Sequence, residues 1–263
     1  MLMVALIVAI AACGSNVQND AGNDSGNSTG GNEVIRIGMI GSYSGNAAMY
    51  GVWEQKGIML VIDKVNENGG IKGRKIEVIQ MDDQGNPTLA VNAARKLVNE
   101  NIVAAFAATT STPTLAIVDI FNEAKIPQLT GAQDPTITQK GSKYIFRFAG
   151  SSLAYTKTVL DYIVNDLGKK NIAIISTSDA YGKGELKSVI EVLKSYKITP
   201  VAYEVATADA KDFTAQLTNI KKANPEVLYI GTINVTAGLI AKQARALGID
   251  AQFVGGSPLG DPV

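Results

Sequence analysis

VIRIGMI at Val34–Ile40, a turn of small residues, and then YGVWEQKGIMLVIDKVN at Tyr50–Asn66 form the stretch on which the fold turns. The first run is short, β-branched and bounded by glycine, as a buried strand is. The second is longer and amphipathic, as a covering helix is. A strand followed by a helix long enough to cross back over it is the unit of a parallel sheet. The alternation continues along the chain. Strands are expected at Val34–Ile40, Lys75–Met81, Val103–Phe106 and Gln128–Thr130, with helices near Tyr50–Asn66, Pro87–Asn99 and Pro113–Glu123. A second series reads helix Leu153–Leu167, strand Asn171–Ser176, helix Lys183–Lys194, strand Pro200–Val205, helix Asp212–Ala223, strand Val227–Gly231, helix Thr236–Leu247 and strand Gln252–Val254. The expected fold class is α/β, with two Rossmann-like lobes built on parallel sheets. Residues 34–150 are expected to form lobe one and 151–256 lobe two, with the boundary near Phe148–Ser152, where the run Tyr144–Phe148 ends. A cleft at the carboxyl ends of the strands is where such sheets take ligands.

Composition narrows what such a fold can do. Of 263 residues 46% are hydrophobic and 18% charged, which is enough apolar material for one large or two medium cores. Lysine plus arginine matches aspartate plus glutamate at 24 each, so no net field draws a nucleic-acid backbone. Histidine is absent, which removes the commonest general base and metal ligand. The single cysteine, Cys13, permits neither an intrachain disulfide nor a cysteine zinc site.

The N-terminus reads as an address. MLMVALIVAIAA at residues 1–12 has the length of a secretory h-region and falls short of a membrane span. Ile10-Ala11-Ala12-Cys13 resembles a bacterial lipobox, so Cys13 is the expected lipidation site and the membrane a partner through that anchor. The competing reading is a buried apolar segment, which the missing basic residue ahead of the run favours. From Gly14 to Asn32 the chain is almost wholly Gly, Ser, Asn, Asp and Thr, so residues 13–33 are expected to be anchor and tether.

Motifs within the folded part exclude more than they assign. Gly38-Met39-Ile40-Gly41-Ser42-Tyr43-Ser44-Gly45 follows a strand, yet its glycine spacing fails the dinucleotide fingerprint and it lacks the central serine of a G-x-S-x-G elbow, and no G-x-x-x-x-G-K-S/T phosphate loop occurs anywhere. No cofactor is expected. Asp82-Asp83-Gln84-Gly85-Asn86-Pro87 lacks the spacing and closing glutamate of a calcium loop, and reads as a turn and helix cap. Thr109-Thr110-Ser111-Thr112-Pro113 lies between strand and helix, where backbone N–H groups favour an anion. Ser111 or Thr112 capping the helix, with Pro113 in its first turn, explains the same spacing equally well.

Several segments together resemble the branched-chain amino acid and amide family of solute-binding proteins. They are Ile35–Gly38 through Tyr50-Gly51, Asn68–Ile76, the Asp82-Asp83 turn, Tyr144–Arg147, Ala180-Tyr181-Gly182, Asp212-Phe213, and Gln243-Ala244-Arg245 with Gly248. They run in order from about Val34 to Ser257. The resemblance implies a type I periplasmic-binding fold whose lobes close on a ligand by a hinge. It also implies a C-terminally truncated chain, with residues 257–263 only the start of a return crossover. Carried over position by position, Ser111 and Thr112 would hold a ligand carboxylate, and the loop Gly131-Ala132-Gln133 would receive an ammonium. Tyr181 would close over the ligand, although lobe packing alone would also account for it. Tyr50 would wall the ligand's side chain. Where amino acid binders present an acid to the ammonium stands Ser257, and Ile233 replaces an aromatic. Asp134 and Asp261 are candidate substitutes, with Asp134 better explained as capping a turn before Pro135.

The resemblance therefore implies a monomeric, lipid-tethered, extracytoplasmic receptor. It would take a small carboxylate-bearing ligand, most simply an apolar amino acid, to an ABC permease. A ligand sensor of the same fold is the alternative; a Rossmann-like enzyme is a weaker one.

Overall fold

A computed structural model describes residues 34–260. The expected signal peptide, the lipidation site Cys13, the tether and Asp261 lie outside the described residues. Nine strands and seven α-helices follow one another among the described residues. β1 (Ile35–Gly41), β2 (Ile76–Asp82), β3 (Ala104–Ala107), β4 (Gln128–Thr130) and β5 (Ile145–Arg147) form one sheet in the order β2-β1-β3-β4-β5. β6 (Ile172–Thr177), β7 (Ala202–Ala206), β8 (Val227–Gly231) and β9 (Gln252–Gly255) form a second in the order β7-β6-β8-β9. Every pairing within both sheets is parallel.

The helices are α1 (Ala48–Glu67), α2 (Pro87–Val98), α3 (Ser111–Glu123), α4 (Ser152–Asp161), α5 (Ala180–Ser195), α6 (Thr214–Lys222) and α7 (Asn234–Ala246). The second sheet shows why the strand sequences read as continuous apolar runs: both of its faces are covered. Ala173 and Ile175 of β6 join Leu228 and Ile230 of β8 against Leu217, Ile220 and Ile240 on α6 and α7. Ile172 and Ile174 point the other way, with Val227 and Tyr229, onto Leu160 of α4 and Val189 and Leu193 of α5. Each buried valine, leucine or isoleucine side chain here contributes about 2 kcal/mol by leaving water. In the first sheet, Ile40, Ala105 and Ala107 pack on Ala90, Ala94 and Leu97 of α2 and on Ile117 and Phe121 of α3.

The Asp82–Pro87 segment is a turn and a cap. Asp82 accepts from the Gln84 N–H at 2.9 Å, and Asn86 caps α2 by accepting from Thr88 and Leu89. Asp134 caps the 3-10 turn Pro135–Thr138 in the same way, at 2.7 Å from the Thr136 N–H. The helix expected over Leu153–Leu167 is two pieces, since α4 passes at Tyr162 into a π-helical turn ending at Asp166. One wider turn leaves the apolar spacing too little altered to be read from sequence.

In each sheet the helix carrying a Tyr-Gly pair presses its glycine onto the end of a strand. A Cβ on Gly51 of α1 would lie 2.1 Å from the Ser42 carbonyl oxygen, and one on Gly182 of α5 would lie 2.2 Å from that of Thr177. Neither backbone can yield without moving a helix off its sheet. Gly51→Ala and Gly182→Ala are expected to cost about 2 kcal/mol or more each in urea unfolding. Gly238→Ala, in α7 with nothing within 4 Å of the added carbon, is expected to be neutral or to stabilise by up to about 1 kcal/mol.

Candidate functional site

The carboxyl ends of both sheets face one cavity of about 430 Å³. Its first wall is a single face of α1. Tyr50, Trp53, Glu54, Gly57 and Ile58 recur at the three- and four-residue spacing that aligns side chains along a helix. Thr109, Thr110 and Ser111 at the start of α3 and the loop Gly131-Ala132-Gln133 form the floor, with Phe148, Tyr181, Ile233 and Pro258 completing the enclosure.

Five of the seven residues carried over from the family line this cavity: Tyr50, Ser111, Gly131, Gln133 and Tyr181. Thr112 and Ser257 are not among its lining residues. Thr112 lines a neighbouring polar recess of about 230 Å³, and its hydroxyl accepts from the Ala180 N–H at 3.0 Å across to α5. Ser257 accepts from Gln133 Nε2 at 2.8 Å. Further contact between the two halves runs from Asn234, whose N–H donates to the Tyr50 hydroxyl at 3.4 Å.

The start of α3 bears on the capping reading of Thr109–Pro113. Thr110 occupies the N-cap without a side-chain cap bond, and the helix begins at Ser111. The hydroxyls of Ser111 and Thr112 are therefore not spent on capping. Ser111, 2% exposed, accepts from the Asp134 N–H at 3.2 Å, which fixes its oxygen beside the cavity. A helix start presents N–H groups that no intrahelical carbonyl takes, and at this one Thr110 and Ser111 line the cavity.

Hydroxyls beneath the floor hold its two loops together. Thr130 Oγ1 donates to the Ala108 carbonyl at 2.8 Å and accepts from the Ala132 N–H at 3.0 Å. Thr114 Oγ1 lies 3.2 Å from Thr130 Oγ1 and 2.8 Å from the Thr110 carbonyl. The loops after β3 and β4 are thus braced by side chains that sequence reasoning passed over, because a threonine inside a strand or helix carries no signal of its own.

Glu54 was also missed. It is the one carboxylate among the cavity's lining residues, and no lysine or arginine lines it. Burial pushes its carboxyl above the usual range, the Asp83 charge adds to this, and a hydrogen bond with Thr109 opposes it. Its Oε1 would sit 3.8 Å from a Cβ on Gly131, so the carboxylate faces the floor loop. Nearby, Gln133 Oε1 is a buried acceptor with no hydrogen-bond partner. The signal existed in the sequence, since Glu54 follows Tyr50 by one helical turn and must share its face. Among the described residues no cluster of three or more Asp, Glu, Cys or His could hold a metal, and no helix is long and apolar enough to cross a membrane.

Comparison with known proteins gives this arrangement its family. Residues 34–263 match the sequence profile of the periplasmic binding proteins. The chain is 34% identical over 228 residues to the leucine-specific-binding protein of Salmonella typhimurium, covering 86% of this chain and 62% of that one. It is 33% identical over 224 residues to the Leu/Ile/Val-binding protein of Escherichia coli K12, covering 85% and 61%. The chain thus spans under two thirds of these relatives. Among solved structures, the branched-chain amino acid transporter substrate-binding protein of Streptococcus pneumoniae, in complex with isoleucine, superposes with a TM-score of 0.78 at 33% identity, covering 86% and 65%. A solute-binding protein from Rhodopseudomonas palustris BisB5, in complex with 3,4-dihydroxybenzoic acid, shares the fold with a TM-score of 0.77 at 24% identity, covering 87% and 63%. With parallel sheets, a cavity at their carboxyl ends and this match over nearly all described residues, the chain belongs to the periplasmic binding protein family, a family of binding proteins rather than enzymes.

Proposed function

We propose that the protein is a solute-binding receptor for an apolar α-amino acid, most simply leucine, isoleucine or valine, which it delivers to an ABC importer. The observation that carries this reading is the pairing of opposite recognition groups in one apolar cavity. The N-terminus of α3 with Ser111 suits a carboxylate, while Glu54 and the unpartnered Gln133 Oε1 suit an ammonium. Trp53, Ile58, Phe148 and Ile233 supply the apolar surround for a side chain. Relatives named for leucine, isoleucine and valine support the choice. Glu54 also answers the difficulty raised by Ser257, because a buried ammonium facing no carboxylate would cost several kcal/mol.

In this reading no covalent chemistry takes place. Ligand bound to both halves shifts the hinge toward closure, and the permease engages the closed form. Thr112 contributes by joining the halves through Ala180 instead of touching ligand, and Ser257 by orienting Gln133. The protein acts as a monomer outside the cytoplasm, tethered through Cys13.

A thermal-shift screen against amino acids, amides and aromatic acids tests the reading. A ligand at a hundred times its dissociation constant adds about 2.7 kcal/mol. Leucine, isoleucine or valine is expected to give this shift, and Ser111→Ala to weaken it. Stabilisation only by acids lacking an ammonium would overturn the amino acid assignment and leave the fold untouched.

Glu54→Gln is expected to weaken amino acid binding by about 2 kcal/mol, or roughly thirtyfold. The pH dependence has a definite sign. An ammonium needs ionised Glu54, and burial holds this carboxyl above its ordinary value. Wild-type affinity, measured by calorimetry, is therefore expected to rise with pH through the raised pKa of Glu54 and then level. Glu54→Gln is expected to bind weakly with a flat profile over the same range.

A further inference from the structure

A second buried acid lies behind the cavity wall, at Glu185 on α5. Its side chain is fully buried, and Oε2 accepts from the Tyr229 hydroxyl at 2.6 Å, which in turn lies 3.1 Å from Thr156 Oγ1. Three more polar atoms are buried beside it with no hydrogen bond of good geometry: Glu185 Oε1, the Tyr181 hydroxyl and Ser152 Oγ. Two of them converge on one point. A Cβ on Gly256 would lie 2.9 Å from the Tyr181 hydroxyl and 3.2 and 3.3 Å from the Glu185 carboxylate oxygens. Gly256 therefore leaves open the space these groups share.

The position is mechanically significant. Ser152 begins α4, just after the chain leaves the first sheet, and its N–H donates to the Gln133 carbonyl at 2.9 Å. Gly256 follows β9 and leads to Ser257, which Gln133 also holds. Tyr181 presents its ring to the cavity while its hydroxyl reaches back toward Glu185.

We propose that Glu185 is a positioning residue: acting through the Tyr181 hydroxyl, it sets where the second-sheet wall of the ligand cavity stands. The function of that wall rests on the amino acid reading above. Burial raises the Glu185 carboxyl, while hydrogen bonds from Ser152, Tyr229 and Tyr181 oppose this; the carboxyl group thus faces the hydroxyls of both Tyr229 and Tyr181. Glutamine keeps polar hydrogen-bonding groups turned toward both hydroxyls, and leucine fills the volume with none.

The test uses 3-fluorotyrosine at position 181, observed by fluorine NMR, together with calorimetry against isoleucine and melting temperatures to confirm folding. Wild type and Glu185→Gln are expected to share one resonance position. Glu185→Leu is expected to shift or split it, as is the milder Tyr229→Phe if the leucine variant fails to fold. Isoleucine affinity is expected to fall about tenfold in Glu185→Leu and to stay within about threefold in Glu185→Gln. In a Tyr181→Phe background the cost of Glu185→Leu is expected to drop below about threefold, because the pair acts as one unit. An unmoved resonance, or an equal loss in both backgrounds, overturns the inference. A wild-type protein that binds no amino acid would sink the proposed function and leave the resonance comparison to decide Glu185.

Discussion

Two close approaches of backbone to backbone set the geometry on which the site depends. Gly51 rests on the Ser42 carbonyl and Gly182 on that of Thr177, each at a distance that a methyl group would forbid. Each glycine brings the start of a helix down onto the carboxyl end of a strand, and each is preceded by a tyrosine of the cavity wall, Tyr50 or Tyr181. The two halves thus use the same device, and the cavity lies where the two devices face each other. Loss of either contact would lift a wall as well as a helix.

Polar groups that the fold leaves wholly or partly without partners border the cavity. A helix start supplies N–H groups at α3, and Gln133 supplies a carbonyl oxygen whose amide nitrogen is already engaged by Ser257. Glu54 contributes charge in a lining that holds no cation. Burial works against each of these groups unless a ligand completes it. In the proposed function, the same unsatisfied polarity that is costly to the protein would select a zwitterion over a purely apolar molecule. Deeper in, Glu185 repeats the theme with hydroxyls instead of ligand.

Much of this was legible in the sequence. Strands such as Ile172–Thr177 are apolar on both faces, and their length and composition declare buried parallel strands. Asn86 before Pro87 and Asp134 before Pro135 announced their caps through chemistry that is local. Tyr50, Ser111, Gly131, Gln133 and Tyr181 were reached by resemblance, since nothing in their own spacing brings residues so far apart in the chain to one cavity. Thr112 and Ser257 came by the same route and stand beside the cavity, because correspondence of position does not fix the direction of a side chain. Glu54 and Glu185 were passed over for a physical reason. A charged residue in an amphipathic helix ordinarily faces water, and only the approach of a second layer turns it inward.

The central claim is that a zwitterion spans the cavity with its carboxylate at Ser111 and its ammonium at Glu54. A crystal structure of the protein with leucine tests this most directly. The expected result is a leucine carboxylate within hydrogen-bond distance of Ser111 Oγ and the first N–H groups of α3, with its ammonium within hydrogen-bond distance of the Glu54 carboxylate or Gln133 Oε1. A ligand bound in the reverse sense, or with Glu54 turned out of the cavity, would contradict the account.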